Sequence, residues 1–144
     1  MKRTKKTDDM EQRWTITLNR KQLVLVNAAI EMYFRVHLGQ MFDLAYSLAF
    51  IDFDYETQRE EFDARIDRRN KAEDMFKEAY KVAIGRPWLQ RQTDEMLDLE
   101  DIWAIIRHQL WKNREEPKPH DTVDAYPPLI RGTESPVEVR RLDE

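Results

Sequence analysis

The pattern of this chain predicts a mainly helical α+β domain, with about four helices and a small sheet joining an N-terminal strand to a C-terminal edge strand. Three observations carry that expectation. Residues 19–53 hold the longest apolar stretch with the fewest charges. Apolar positions then recur at helical spacing across residues 55–84 and 94–112, with Gly85 as the stop of the first and Thr93 as the cap of the second. Finally, residues 13–18 and 137–140 alternate apolar and polar side chains, the period of a half-buried strand.

The first strand is expected where Trp14, Ile16 and Leu18 share one face and Arg13, Thr15 and Thr17 the other. Asn19 then serves as an N-cap and Gly39 as a C′ residue, which bounds a helix of about five turns. At about 100° per residue, Leu23, Val26, Ile30, Tyr33 and Phe34 fall on one side of it, while Leu25, Ala29, Met32 and Val36 fall largely on the other. A helix apolar on both sides has to be covered on both, by its own chain or by another copy. Self-association is therefore the favoured explanation. A second helix is expected over residues 40–50, from Met41, Phe42, Leu44, Ala45, Leu48 and Ala49.

Residues 55–84 read as a charged amphipathic helix stopped by Gly85, whose apolar positions are Phe62, Ile66, Met75, Phe76, Ala79, Tyr80 and Ala83. The basic patch at residues 68–71 interrupts that stripe and predicts a break near Asn70. Thr93, followed by Asp94 and Glu95, caps the last helix, expected over residues 94–112. Prolines 117, 119, 127 and 128 forbid long helices beyond it, and Val137 and Val139 mark the edge strand. The domain organisation that follows is a flexible arm at residues 1–11, a helical core domain at 12–116 and an extended Pro-containing tail at 117–144 that packs on it.

Bulk composition narrows the function classes. The 144 residues contain no Cys, which excludes disulfides and thiolate metal sites. Charged residues make up 36% of the chain yet the net charge is −4, so no general nucleic-acid binding is expected. The N-terminus is basic and then acidic with no apolar core behind it, unlike a secretory signal. No stretch is apolar for the length a membrane span requires, so no membrane partner is expected.

The three Gly cannot build a dinucleotide-binding or Walker loop, and two Ser leave no nucleophile elbow. His37, His108 and His120 lack metal spacing. Asp52 and Asp54, with Glu56 beyond, read as solvated turn carboxylates, with cation binding or acid/base work as the alternative. No cofactor, metal or catalytic residue is assigned.

Binding chemistry is more visible in the last helix. Leu99, Ile102, Trp103, Ile106 and Leu110 form its apolar face, and Arg107 projects from the shoulder about 40° from both Trp103 and Trp111. One reading is a cation–π arrangement closed by a carboxylate such as Glu100 or Asp101. The other is a receptor for a small anionic nucleotide: Arg107 forks a phosphate, Trp111 or Trp103 stacks on the base, and His108 adds a donor. Arg35, in the polar wedge of the first helix, and Gln40, just past Gly39, join the same candidate set.

Two blocks, YFRVHLGQMF at 33–42 and DIWAIIRHQLWKNREEP at 101–117, resemble marks of a family of small proteins encoded by tailed phages and prophages. That family carries an aromatic-x-Arg-x-x-x-Gly-Gln-Phe block and a D-[IL]-x-x-[VI]-[IL]-R-[HY] block. The likeness spans most of residues 14–117, and it departs where Met41 separates Gln40 from Phe42. At the level of class, such proteins resemble the counter-defence sponges that sequester cyclic nucleotide signals of host immunity. The resemblance implies a non-enzymatic homo-oligomer in the host cytoplasm, with interface pockets for a small anionic nucleotide. A protein–protein interaction module that inhibits or adapts a host or phage enzyme is the alternative.

Overall fold

Local sequence signals set the helix boundaries in the computed structural model, which describes residues 12–115, 122–132 and 137–143. The arm expected at 1–11 and the domain boundary expected at 116/117 lie outside the described residues. In chain order come α1 (Arg20–His37), α2 (Phe42–Ala49), a 3-10 turn (Arg59–Glu61), α3 (Phe62–Ile84), α4 (Asp94–Lys112) and a second 3-10 turn (Val123–Ala125).

The start of α1 is closed reciprocally: Asn19 Oδ1 accepts from the Gln22 N–H and Gln22 Oε1 accepts from the Asn19 N–H, both at 2.9 Å. Its end is closed by Gly39, at φ 79°. The Gly39 N–H donates to the Val36 carbonyl (3.0 Å) and the Gln40 N–H to that of Arg35 (2.9 Å), so two carbonyls left over by the helix are satisfied. A Cβ at Gly39 would sit 2.8 Å from the Tyr80 ring. The Tyr80 hydroxyl donates to the His37 carbonyl at 2.6 Å, tying the far end of α3 to the end of α1. Gly85 closes α3 in the same left-handed conformation, and the Thr93 hydroxyl accepts from the Met96 N–H to start α4.

The helices pack as two antiparallel pairs. Arg20 reaches the Asn113 carbonyl and Tyr33 approaches Glu95, so α4 runs back along α1. Arg65 donates to the carbonyls of Ala49 and Ile51 while Arg69 lies over Phe42, so α3 runs back along α2. The buried apolar residues are few: Phe34, Met41, Ala45, Met96 and Ile106. Among the described residues no helix is long and apolar enough to cross a membrane.

Three expectations need correction. The chain is all-helical, not α+β, because no residue among those described forms a strand. Residues 13–18 form no strand, with Trp14 and Ile16 exposed, and the described residues 137–140 are likewise outside any sheet. Alternation reports a two-sided segment; it supplies no partner for the backbone. The break near Asn70 is absent, since α3 runs unbroken across it. The Arg69 stem and guanidinium cover Phe42 and so stand in for an apolar residue at that position. Finally, of the apolar positions expected along α3, Ile66, Phe76 and Tyr80 are half-buried while Met75, Ala79 and Ala83 are exposed, and Arg65 and Arg69 share the half-buried side.

Candidate functional site

The pairing of α1 with α4 brings the candidate residues of both helices to one tryptophan. Phe34 packs against Trp103, with ring centroids 6.0 Å apart, and the Trp103 ring takes two guanidiniums: Arg107 at 4.2 Å and Arg35 at 5.5 Å from its centroid. Its indole Nε1 is buried with no hydrogen-bond partner among the described residues. His108 and Trp111 stack one turn further along α4, with planes 14° apart.

Both arginines in this set already have an anion. Arg107 Nε and Nη2 both lie 2.6 Å from Oδ1 of Asp124, which arrives from the tail. His108 Nδ1 donates to the Asp124 carbonyl at 2.8 Å. Arg35 Nε lies 2.8 Å from Glu31 and 3.1 Å from Asp43, and its Nη1 donates to Gln40 Oε1 at 2.9 Å. The carboxylate that closes Arg107 is thus neither Glu100 nor Asp101. Those two hold the tail elsewhere: Asp101, only 6% exposed, accepts from the Arg131 N–H (2.9 Å) and the Gly132 N–H (2.7 Å), and Glu100 pairs with the Arg131 side chain.

Arg35 and Gln40 also line an open cavity of about 430 Å³ at the corner where α1, α2 and α3 meet. Its carboxylates are Glu31, Asp43 and Glu73, against Arg35 and Lys77. A hydrogen bond from Lys77 to Glu73, together with the charge of Glu73, holds the Lys77 ammonium above the usual lysine range. With both cations paired and one carboxylate in excess, the cavity repels a phosphate. Arg107, His108 and Trp111 do not line it. The sequence-derived set is therefore split, with Trp103 as the hinge between an acidic cavity and a region of α4 met by the tail.

Elsewhere, His37 is exposed and its ring lies tilted against that of Tyr33, with centroids 4.1 Å apart. Asp52 adopts φ 55°, and Asp54 caps its own turn by accepting from the Glu56 N–H at 3.0 Å. No group of three or more His, Asp or Glu among the described residues is placed to hold a metal ion.

The structure also shows a site that the sequence reading passed over. Phe42, Tyr46 and Phe50 stack along α2 at spacings of 6.0 and 4.6 Å, and Phe50 meets Phe53 and Phe62, which meet Tyr55. Six rings form one continuous ladder. Three arginines of α3 and its approach lie on it: Arg69 over Phe42 (4.7 Å), Arg65 over Phe53 (5.2 Å) and Arg59 over Tyr55 (5.1 Å). The available signal was the i, i+4, i+8 run of Phe42, Tyr46 and Phe50, matched by arginines four apart at 65 and 69. No protein-family model, curated protein or solved structure matches the chain.

Proposed function

We propose that this chain is a non-enzymatic protein-interaction module that self-associates through the outer face of α1. The observation that carries the reading is the two-sidedness of that helix. Its inner side, Leu23, Asn27, Ile30 and Phe34, is buried or half-buried in the pairing with α4. The outer side has no cover: Leu25 is 61% exposed, Val24, Ala28 and Ala29 are exposed with it, and Met32 and Val36 are half-buried further along. Ala28 and Ala29 sit at the midpoint of the 18-residue helix, where small side chains let two helix axes approach. A two-fold axis at that step sets the Leu25 end of one helix beside the Met32 end of its copy. Each leucine or methionine so covered is worth about 1.5–3 kcal/mol.

Light scattering tests this directly. The expected mass is a multiple of 17.4 kDa, reduced to 17.4 kDa by Leu25→Asp with the helical circular dichroism unchanged. A wild-type monomer at tens of micromolar, or an oligomer indifferent to Leu25→Asp, sinks the reading.

A second reading, sequestration of an anionic cyclic nucleotide as in phage counter-defence, is favoured by one observation: the fork of Arg107 beside Trp103 already holds a carboxylate. A phosphate would have to displace Asp124 there. On this reading a cyclic dinucleotide at a hundred times its Kd raises stability by about 2.7 kcal/mol, and Arg107→Ala removes the shift.

A further inference from the structure

We infer that the aromatic ladder of α2 and the start of α3 is a docking surface for an arginine-rich segment of a partner protein. The inference rests on reading the chain as an interaction module and names a partner class for a surface other than α1. The ladder is open to solvent: Tyr55 is 56% exposed, Tyr46 and Phe42 are each 45% exposed, and Leu48 and Ile51 lie exposed in the same segment.

Charge decides what such a surface attracts. Residues 42–70 contain eight carboxylates, four arginines and no lysine, so the net charge of −4 of the whole chain is matched by this segment alone. The loop that carries the ladder alternates the two chemistries, Asp52-Phe53-Asp54-Tyr55-Glu56. Asp43 and Glu61 are paired within the chain, with Arg35 and Arg65. A polyanionic nucleic acid is repelled by that surplus. A cationic peptide gains from both the carboxylates and the ring faces.

The chain itself shows which cation the rings accept. All three cations stacked on the ladder are guanidiniums, whose planar, weakly hydrated form suits a ring face better than an ammonium does. Among the described residues neither Arg69 nor Arg59 closes the arrangement with a carboxylate, and Arg69 donates to Asn70 alone. Of the exposed rings, Phe42 and Tyr55 carry guanidiniums of their own chain, while Tyr46 and Phe62 do not. Tyr46, 45% exposed and without a guanidinium of its own chain among the described residues, is the ring a partner arginine reaches first.

The test uses the full chain and a fluorescein-labelled Arg-Gly repeat of about twelve residues, read by fluorescence anisotropy at roughly 0.15 M salt. Its controls are the same peptide with citrulline or lysine in place of arginine. The arginine peptide is expected to bind, the lysine peptide several-fold more weakly, and the citrulline peptide not at all. Tyr46→Leu, which keeps an apolar surface and removes the ring, is expected to weaken binding by about tenfold. Glu56→Gln with Glu60→Gln is expected to weaken it several-fold, with a shallower salt dependence.

Equal binding of the citrulline peptide, no effect of Tyr46→Leu in a protein of unchanged circular dichroism, or equally tight binding of a proline-rich peptide overturns the inference. So does a tenfold gain in affinity when Lys2, Arg3, Lys5 and Lys6 are changed to Gln in the full chain, because the occupant is then this chain's own N-terminal arm. A silent arginine peptide with the Leu25→Asp result intact removes this partner class and leaves the interaction-module reading standing.

Discussion

Two regions of this molecule lay arginines on aromatic rings, and they end in opposite states. On α4, Arg107 rests on Trp103 and is met by Asp124 from 17 residues further along the chain, while Asp101 and Glu100 fix the tail beside it. Along α2, α3 and the approach to α3, Arg69 and Arg59 rest on Phe42 and Tyr55, and among the described residues no carboxylate arrives. The same pair of residue types is thus a structural lock in one place and an open surface in the other. What separates the two is whether a remote segment returns to neutralise the cation and exclude water.

The largest expected effect breaks the locked side. Asp101→Ala removes a buried acceptor of two backbone N–H groups, those of Arg131 and Gly132, and is expected to cost about 3 kcal/mol in urea unfolding. Hydrogen exchange at the same two amides should rise with it. If their protection survives the substitution, the tail is held by something other than this carboxylate.

Next in size is the joint between the two helix pairs. Gly39→Ala places a Cβ at φ 79° and within 2.8 Å of the Tyr80 ring, so about 2 kcal/mol of stability should be lost, and the Tyr80 hydroxyl contact with the His37 carbonyl should loosen. A thermal midpoint unchanged from wild type would show that the ring yields freely and that the two pairs are not coupled there.

How much of this was legible in the sequence follows from the range of each interaction. Helix ends marked by a cap were legible because their causes are local: Asn19 with Gln22, Gly39, Gly85 and Thr93 each act within a few residues, whereas the third helix, expected from residue 55 with no cap to mark it, begins at Phe62. The sheet was misread because residues 13–18 alternate without any partner, and pairing is a long-range property. The closure of Arg107 was anticipated in kind but assigned to the wrong carboxylates. Glu100 and Asp101 are neighbours in sequence, whereas Asp124 reaches the fork only because the tail folds back. The ladder escaped because its rings come from a helix, a loop and the next helix, so no single periodicity contains them.

On the locked side again, Arg107→Lys keeps the charge and loses the fork and the stacking plane. It should cost about 1 kcal/mol, small because both partners remain partly solvated. A double-mutant cycle with Asp124→Asn should return a coupling of similar size.

The smallest expected effect is on the open side, and it decides whether the two regions differ at all. Arg69 lies 4.7 Å from the Phe42 centroid with the Asn70 side chain as its hydrogen-bond partner among the described residues; Arg69 is half-buried and Phe42 is exposed. An exposed cation–π contact is worth about 0.5–1 kcal/mol, so Arg69→Gln should lower stability by no more than about 0.5 kcal/mol once the retained stem packing is counted. Its coupling to Phe42→Leu should be correspondingly weak, well below that of Arg107 with Asp124. A coupling at Arg69 as large as the one at Arg107 would mean that the ladder's arginines are themselves structural, and the open ring faces would then be held shut by their own chain. A weak coupling leaves Arg69 displaceable, so that the Phe42 ring can join Tyr46 in the surface a partner arginine meets.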